Sequence, residues 1–230
     1  LGEVVGGAFD DGPSPGAAHF PWSPVLEAAF EEDHGYPIEQ ALPHLARDLG
    51  PHSAGMRWHF RQTQHRLQRV AYTRQLGDWC SERGIRFCGH LTRTEWLTLV
   101  ASWWTNELRF YQDYHIPCAD PLGVPSAWTS AAAYHTGLKV VSSAAHLFGK
   151  EQAGSDCLAV MGDEASLRDL KYVLDFHLAM GLTFFTAHGL SYSLDGPRKD
   201  EVPPSLFYQH SQWPWMRVLW DEVRRRCDAL

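Results

Sequence analysis

The sequence predicts an α/β protein that forms part of a TIM-type (β/α)₈ barrel with parallel strands. Short apolar segments alternate with longer helical segments, and polar side chains follow the ends of the short segments. Such alternation is typical of parallel βα units. About four strand-like segments occur in the 230 residues, which is too few for a closed barrel. We therefore expect residues 1–230 to form one catalytic barrel-type domain or fragment, with the barrel incomplete.

Each predicted strand is a short apolar run bounded by glycine, proline or acidic residues, which is typical of buried strands. The four runs are residues 4–9, 85–90, 152–157 and 182–187. The chain starts at Leu1 without Met and enters the first run almost at once. We therefore expect a fragment of a longer protein.

Apolar residues spaced three and four apart predict helices between these strands. The predicted spans are residues 24–34 with Ser23 as N-cap, 57–83, 96–114, 126–148 and 163–180 with Asp163 as cap. A last helix carries Met216, Leu219, Trp220, Val223 and Cys227. Glycines end four of these helices, at positions 35, 84, 149 and 181. Residues 117–125 and 189–212 are predicted loops.

The composition excludes several classes of partner. A net charge of −7 without a basic patch argues against nucleic acid and against an anionic membrane surface. No apolar run approaches the roughly 20 residues of a membrane-spanning helix. We expect a soluble protein, with the cytoplasm favoured. Ten Trp, eight Tyr and eleven Phe suit a neutral ligand such as a sugar, whose rings stack on aromatic faces.

The sequence lacks the usual cofactor motifs. Five cysteines form no CxxC pair and their odd number argues against a disulfide framework, so we expect mostly buried thiols. The thirteen histidines show no zinc-ligand spacing, and no GxGxxG, Walker or GxSxG motif occurs. We expect no cofactor and no dedicated metal site, while a cation held by loop carboxylates stays an open alternative.

Polar residues gather at the predicted strand ends. Asp11, His90, Asp156 and His188 each lie at or directly after the end of a predicted strand. In parallel barrels the carboxyl ends of the strands form the active face. These residues are therefore the first candidates for a functional site.

Several motifs along the chain resemble those of one known protein family. Residues 22–43 contain Trp-Ser-Pro, His-Gly-Tyr and Leu-Pro, and are similar to the family's Trp-Thr-Pro, Gly-Tyr-Asp and Leu-Pro stretch. This stretch follows Thr-Asp-Glu-Pro in the family and Asp10-Asp11-Gly12-Pro13 here. Asp11 keeps the acidic position, whereas Gly12 replaces the glutamate.

The resemblance extends over nearly the whole chain. Residues 89–91 with Glu95 match a Gly-His…Glu signature, and residues 116–120 match an Ile-Pro-Gly element that ends in Asp. Residues 142–149 precede a strand that ends in Ser155-Asp156, where the family has Ser-Glu. The longest match covers residues 188–192, 196–200 and 203–205. The resemblance implies a catalytic barrel like that of family 2 glycoside hydrolases or of α-L-rhamnosidases.

This family likeness implies a carboxylate mechanism, because glycosidic bond cleavage generally uses an acid and a nucleophile or base. Glu95 and Asp156 are the catalytic candidates, in either order. The candidates for substrate contact are Asp11, His90, Asp120, His188, Tyr192, Arg198, Lys199 and Asp200. Because Asp is one methylene shorter than Glu, Asp156 would retract its carboxylate by about 1 Å, which is a costly misplacement in catalysis.

Each candidate also has a structural explanation. Glu95 could complement the dipole of the helix that follows, and Asp156 could cap the next element or pair with an arginine. The histidines could be hydrogen-bonded core residues, and the loop aspartates could form Asx-turns. Residues 198–201 could be a solvated charge run.

The leading prediction is a glycoside hydrolase that cleaves O-glycosidic bonds with two carboxylates. The alternative is a degenerate, non-catalytic relative that binds carbohydrate or pairs with another chain. A third class is a barrel hydrolase or lyase with a non-sugar substrate. The expected partners are a carbohydrate and either the other segments of the same barrel or a second copy of the chain.

Overall fold

A parallel five-stranded sheet forms the centre of the fold. The structure is a computed structural model and describes residues 2–14, 20–93, 96–124, 131–197 and 202–230. The strands follow one another in chain order across a curled half-barrel. They are β1 Gly7–Asp11, β2 Arg86–His90, β3 Ile116–Ala119, β4 Gly154–Cys157 and β5 Phe184–Ala187. The α/β class with parallel strands predicted from the sequence is confirmed.

The helices of the described residues connect successive strands and cover the outer face of the sheet. They are α1 Leu26–His34, α2 Leu42–Ala46, α3 Ser53–Gln68, α4 Arg74–Ser81, α5 Leu97–Trp103, α6 Glu107–Tyr111, α7 Ala131–Leu147, α8 Leu167–Ala179 and α9 Trp213–Cys227. A 3₁₀ turn spans Ile38–Gln40 and a π-helical turn spans Arg69–Thr73. The π turn joins α3 to α4 without a break in the chain of helical residues.

Three apolar clusters hold these elements together. The largest packs β2 and β3 against α4, α6 and α7, where Phe87 stacks on Tyr114 at 4.2 Å. A second lies between β4, β5, α8 and α9 around Leu174 and Met216, and a third joins α1 to α3 around Phe30. The sheet is therefore positioned by helices on its outer face.

One strand was missed in the sequence, and the bounds of the other four differ from the prediction. Residues 116–119 form β3, although a loop was predicted from Pro117 to residue 125. All four β3 residues are buried, and this burial offsets the single backbone N–H that proline lacks. β1 begins and ends later than predicted, so Asp11 is its last residue, and β4 is shorter than predicted.

Helix boundaries also differ from the prediction. The predicted helix 96–114 is two short helices, because Thr105 between them has a positive φ of 64°. α8 begins after Ser166, which forms a capping box with Asp169, so the predicted cap at Asp163 is wrong. α1 begins after Val25 rather than after Ser23. Residues 126–130 of the predicted fourth helix lie outside the described residues.

All five cysteines are thiols, four of them buried, as expected. Burial raises the pKa of each, to the greatest extent for Cys118 and Cys157 beneath the strand ends. Within the described ranges, none of the helices has both the length and the apolar character needed to cross a membrane.

Candidate functional site at the carboxyl ends of the strands

The strand register places five candidate residues on one face of the sheet. Side chains alternate along a strand and register partners in a parallel sheet share a face. The registered pairs are Asp11 with His90, Cys88 with Ile116, Cys118 with Gly154, and Asp156 with Thr186. Because every second side chain of a strand lies on the same face, this register places five residues on the inner face: Asp11, His90, Asp120, Asp156 and His188. They come from five successive strands and lie at one edge.

Three of these side chains form a compact cluster. The Nε2 atom of His90 lies 3.4 Å from Oδ1 of Asp11 and 3.8 Å from Oδ2 of Asp156. One nitrogen or oxygen from each residue lies within 4.8 Å of the others. β1, β2 and β4 therefore direct two carboxylates towards one imidazole, although β3 separates β4 from the other two.

The cluster is largely buried but incompletely hydrogen-bonded. His90 is 2% exposed and Asp156 is 7% exposed, whereas the Asp11 carboxylate reaches solvent. Within the described residues, neither ring nitrogen of His90 nor Oδ1 of Asp156 has a hydrogen-bond partner. The distance of 3.8 Å from Nε2 of His90 to Oδ2 of Asp156 is an ion-pair distance, too long for a hydrogen bond. Buried polar atoms of this kind point to a ligand or water that completes them.

Charge dominates the protonation of His90. Burial by itself lowers the pKa of His90, but the carboxylates of Asp156, Asp120 and Asp11 together outweigh it and raise that pKa above its ordinary value. Asp120 directly follows β3 and is half-buried. His90 is therefore suited to carry a positive charge between carboxylates.

The same atoms could hold a cation. Imidazole nitrogen and carboxylate oxygen are ligands for divalent transition metals, whose bonds of about 2.0–2.2 Å hold ligand atoms roughly 3.4 Å apart. The Asp11–His90 distance of 3.4 Å fits that spacing. A metal would require neutral His90, whereas the metal-free cluster favours the imidazolium. The expectation of no dedicated metal site stays a prediction.

An apolar floor lies beneath the cluster on the same face. It consists of Cys88, Ile116 and Cys118, with Phe184 packed against them. Phe9 adds an edge contact to the His90 ring at 5.9 Å between centroids. This floor separates the polar edge from water on the inner side and accounts for the strong desolvation of His90.

His188 and Tyr192 follow β5, the last strand of the sheet. His188 directly follows β5, is half-buried, and has a buried Nδ1 without a partner among the described residues. Both residues line a cavity of 640 Å³ formed by the loop after β5. Tyr192 is 93% exposed there, a position where an aromatic ring can receive a sugar.

Four predicted site residues cannot be located. Glu95, Arg198, Lys199 and Asp200 lie outside the described residues. The pairing of Glu95 with Asp156 therefore stays a prediction. The sequence also missed Thr186, which lies opposite Asp156 on the inner face, although its position two residues before His188 in a strand would have indicated it.

Gly12, the main departure from the family motif, lies directly against His90. Its φ is +55°, and a Cβ atom there would stand 3.2 Å from Oγ1 of Thr92 and 3.3 Å from Cε1 of His90. The Thr92 hydroxyl also contacts the carbonyl oxygens of Gly12 and Pro13. A glutamate at this position would thus require a different course of the backbone after β1.

Two known proteins are similar to this chain. No protein-family model matches the chain. A Formosa agariphila protein named "Putative beta-glucuronidase" is 24% identical over 192 residues, covering 82% of this chain and 15% of that protein. The structure of a rhamnosidase from Novosphingobium sp. PP1Y matches with a TM-score of 0.74 at 18% identity, covering 98% of this chain and 22% of that one.

The chain is similar to glycoside hydrolases. The sequence likeness is to a protein named for that activity, and the structural likeness, at 18% identity, shows the fold alone. The chain spans less than a quarter of the length of either relative. The chain carries its inner-face polar residues at the carboxyl ends of its strands, where barrel enzymes place their active sites.

Proposed function

We propose that this chain is the portion of a glycoside hydrolase that supplies half of a TIM-type barrel and both catalytic carboxylates, Glu95 and Asp156. The observation that carries the proposal is the convergence of Asp11, His90 and Asp156 on the inner face. Asp120 and His188 belong to the same edge by register. The likeness to two glycosidase-named proteins supports a sugar as substrate.

In this proposal Asp156 works with Glu95 as acid/base and nucleophile or base, with the order left open. His90 lies within ion-pair distance of Asp156, and this carboxylate is one of those that raise the pKa of His90. Asp11, Asp120, His188 and Tyr192 contact sugar hydroxyls or the ring face, together with Arg198, Lys199 and Asp200. The remaining strands of the barrel come from outside these 230 residues.

A degenerate, carbohydrate-binding relative is the second candidate. Two departures favour it, namely Asp156 in place of a family glutamate and Gly12 pressed against His90. A carboxylate withdrawn by about 1 Å lowers catalysis by around 10²-fold while it still accepts hydrogen bonds from sugar hydroxyls. Binding without turnover is the expected behaviour of such a site.

Two substitutions at one position separate the two functions. We expect slow turnover of aryl glycosides by the complete barrel that contains this chain, an increase towards 10²-fold in Asp156→Glu, and no turnover in Asp156→Asn. Asp78→Asn, at an exposed site on α4, is the matched control and should leave the rate unchanged. Turnover in Asp156→Asn equal to wild type would exclude Asp156 from catalysis. Sugar binding without turnover in wild type and Asp156→Glu would favour the binding function.

A further inference from the structure

A second cavity lies among the helices and shares no residue with the strand-end site. It has a volume of 410 Å³ and is lined by residues of α1, α3, the π turn, α6 and the segment between α5 and α6. Pockets of this size accommodate small molecules. The proposed glycosidase function does not use it.

The cavity carries an uncompensated positive charge. Arg66 pairs with Asp33 at 2.9 Å, and Arg69 forms two hydrogen bonds to the Asp113 carboxylate at 2.7 and 2.8 Å. Arg109 also lines the cavity, and no carboxylate of the described residues pairs with it. An unmatched guanidinium in a concave site of a chain with net charge −7 favours an anion, above all a planar carboxylate.

His65 also lines this cavity, and one of its ring nitrogens lacks a hydrogen-bond partner among the described residues. Its Nδ1 lies 3.1 Å from the carbonyl oxygen of Trp104, and since that oxygen can only accept, Nδ1 carries the hydrogen. Its Nε2 is buried without a partner among the described residues, and His65 is 9% exposed. Burial lowers the pKa of His65, and the charges of Arg109 and Arg69 lower it further, so the ring is neutral. A neutral ring with hydrogen on Nδ1 leaves a lone pair on Nε2, which needs a hydroxyl donor.

Two exposed apolar side chains also line the cavity. Trp58 on α3 is 54% exposed and Val70 in the π turn is 52% exposed, and both line the cavity. An exposed indole face stacks on rings, including the C–H face of a sugar ring. The cavity thus combines an anion-binding group, a hydroxyl acceptor and a ring platform.

We propose that this cavity is a second ligand site, which binds a hydroxylated carboxylate of the size of one sugar ring. Arg109 binds the carboxylate, His65 Nε2 accepts a hydrogen bond from a hydroxyl group, and Trp58 covers one face of the ring. Acyclic hydroxy acids offer the carboxylate and the hydroxyl groups but lack the ring. The test therefore compares probes that lack one or more of these three features.

The test is calorimetric titration of the purified chain with sodium glucuronate, glucose and sodium acetate at low ionic strength. Glucuronate carries all three features, whereas glucose lacks the carboxylate and acetate lacks the hydroxyls and the ring. We expect glucuronate to bind at least about tenfold more tightly than either, because each missing group removes a hydrogen bond or a stacking contact. Equal affinity for glucose and glucuronate would overturn the proposal, as would the absence of glucuronate binding.

Variants assign the binding to this cavity. Arg109→Gln removes the exposed guanidinium and should weaken glucuronate binding about tenfold or more. Arg224→Gln, an exposed arginine on α9, is the matched control and should bind as wild type does. His65→Asn keeps a donor for the Trp104 carbonyl and should reduce the preference for glucuronate over acetate. Unchanged binding in Arg109→Gln would refute the site. Asp156→Asn should leave this binding unchanged, which separates it from the proposed glycosidase function.

Discussion

His90 shows how a residue's chemistry follows from its neighbours on other strands. In the sequence it is one of thirteen histidines, distinguished only by its place at the end of a predicted strand. In the fold it is 2% exposed between two carboxylates supplied by β1 and β4. Its charge state therefore depends on strand pairing.

The titration of His90 is the first prediction at this scale. In the metal-free chain we expect an NMR pKa above the ordinary value of 6.5, because three carboxylates favour the imidazolium. The stability from this charge is complete below pH 6.5 and is lost as the pH rises through the folded pKa. Asp11→Asn should lower the pKa, since it removes one of the charges. A pKa at or below 6.5 in wild type would contradict the electrostatics described here.

His177 should behave in the opposite way. It is fully buried on α8, shares a hydrogen bond with the Tyr134 hydroxyl at 2.7 Å, and burial lowers its pKa to about 3. Only the unfolded chain takes up this proton below pH 6.5, so stability falls as the pH falls from 6.5 towards 3, by up to about 1.4 kcal/mol per pH unit. Urea unfolding at pH 7, 5 and 4 measures the slope. His177→Gln should show a shallower dependence, and an identical slope would exclude His177 as its source.

At the scale of elements, the π turn between α3 and α4 explains why the apolar spacing of this helical segment does not match its buried residues. Tyr72, Leu76, Trp79 and Cys80 have the spacing of one apolar helix face in the predicted helix 57–83, yet Tyr72 is 36% exposed and Trp79 is 44% exposed. The π turn at Arg69–Thr73 adds a residue to one turn and rotates the residues that follow. Tyr72 instead donates a hydrogen bond to Asp10 at 2.8 Å.

Two helical glycines provide a matched prediction for this region. Gly77 in α4 packs so closely that an added Cβ would overlap the Asp113 carbonyl, whereas Gly55 in α3 has nothing within 4 Å. Gly77→Ala should destabilise the fold by about 1–3 kcal/mol through steric overlap. Gly55→Ala should stabilise the fold by about 0.5–1 kcal/mol, because alanine lowers the conformational entropy that the unfolded chain loses on folding. Urea unfolding of both variants checks the opposite signs, and equal effects would contradict the close packing of α4.

At the scale of the whole molecule, the sheet has two open edges. β1 and β5 each pair with one strand among the described residues, and a barrel would pair both. Beside β5 lies a mainly apolar cavity of 590 Å³, lined in part by Leu190, Trp213 and Trp220. A complete barrel would cover such a surface, and open strand edges are sites of association.

We therefore expect the isolated chain to self-associate. Sedimentation velocity should show a concentration-dependent increase in mass, because a second copy can cover the apolar surface beside β5. Leu190→Lys, at a 67% exposed position, should weaken the association. Leu49→Lys, at an exposed position in the loop after α2, is the control. A monomer at every concentration, or equal effects of both variants, would contradict this expectation.

The sequence by itself determined the α/β class, four of the strands, most helices and the residue types at the strand ends. It could do so because apolar periodicity and glycine stops are local properties of the chain. The π turn, the break at Thr105 and β3 were beyond it. β3 forms despite Pro117 because burial between β2 and β4 offsets a local penalty, which no local pattern reveals.

Only the tertiary structure decided which polar residues meet. The sequence placed Asp11, His90 and Asp156 at three strand ends, separated by up to 145 positions in the chain. Register then brought them within 4.8 Å, because parallel pairing aligns strand ends at one edge and alternation directs these side chains inward. The cavity around His65 and Arg109 had no signal in the sequence, since it depends on helices that meet only when the chain is folded.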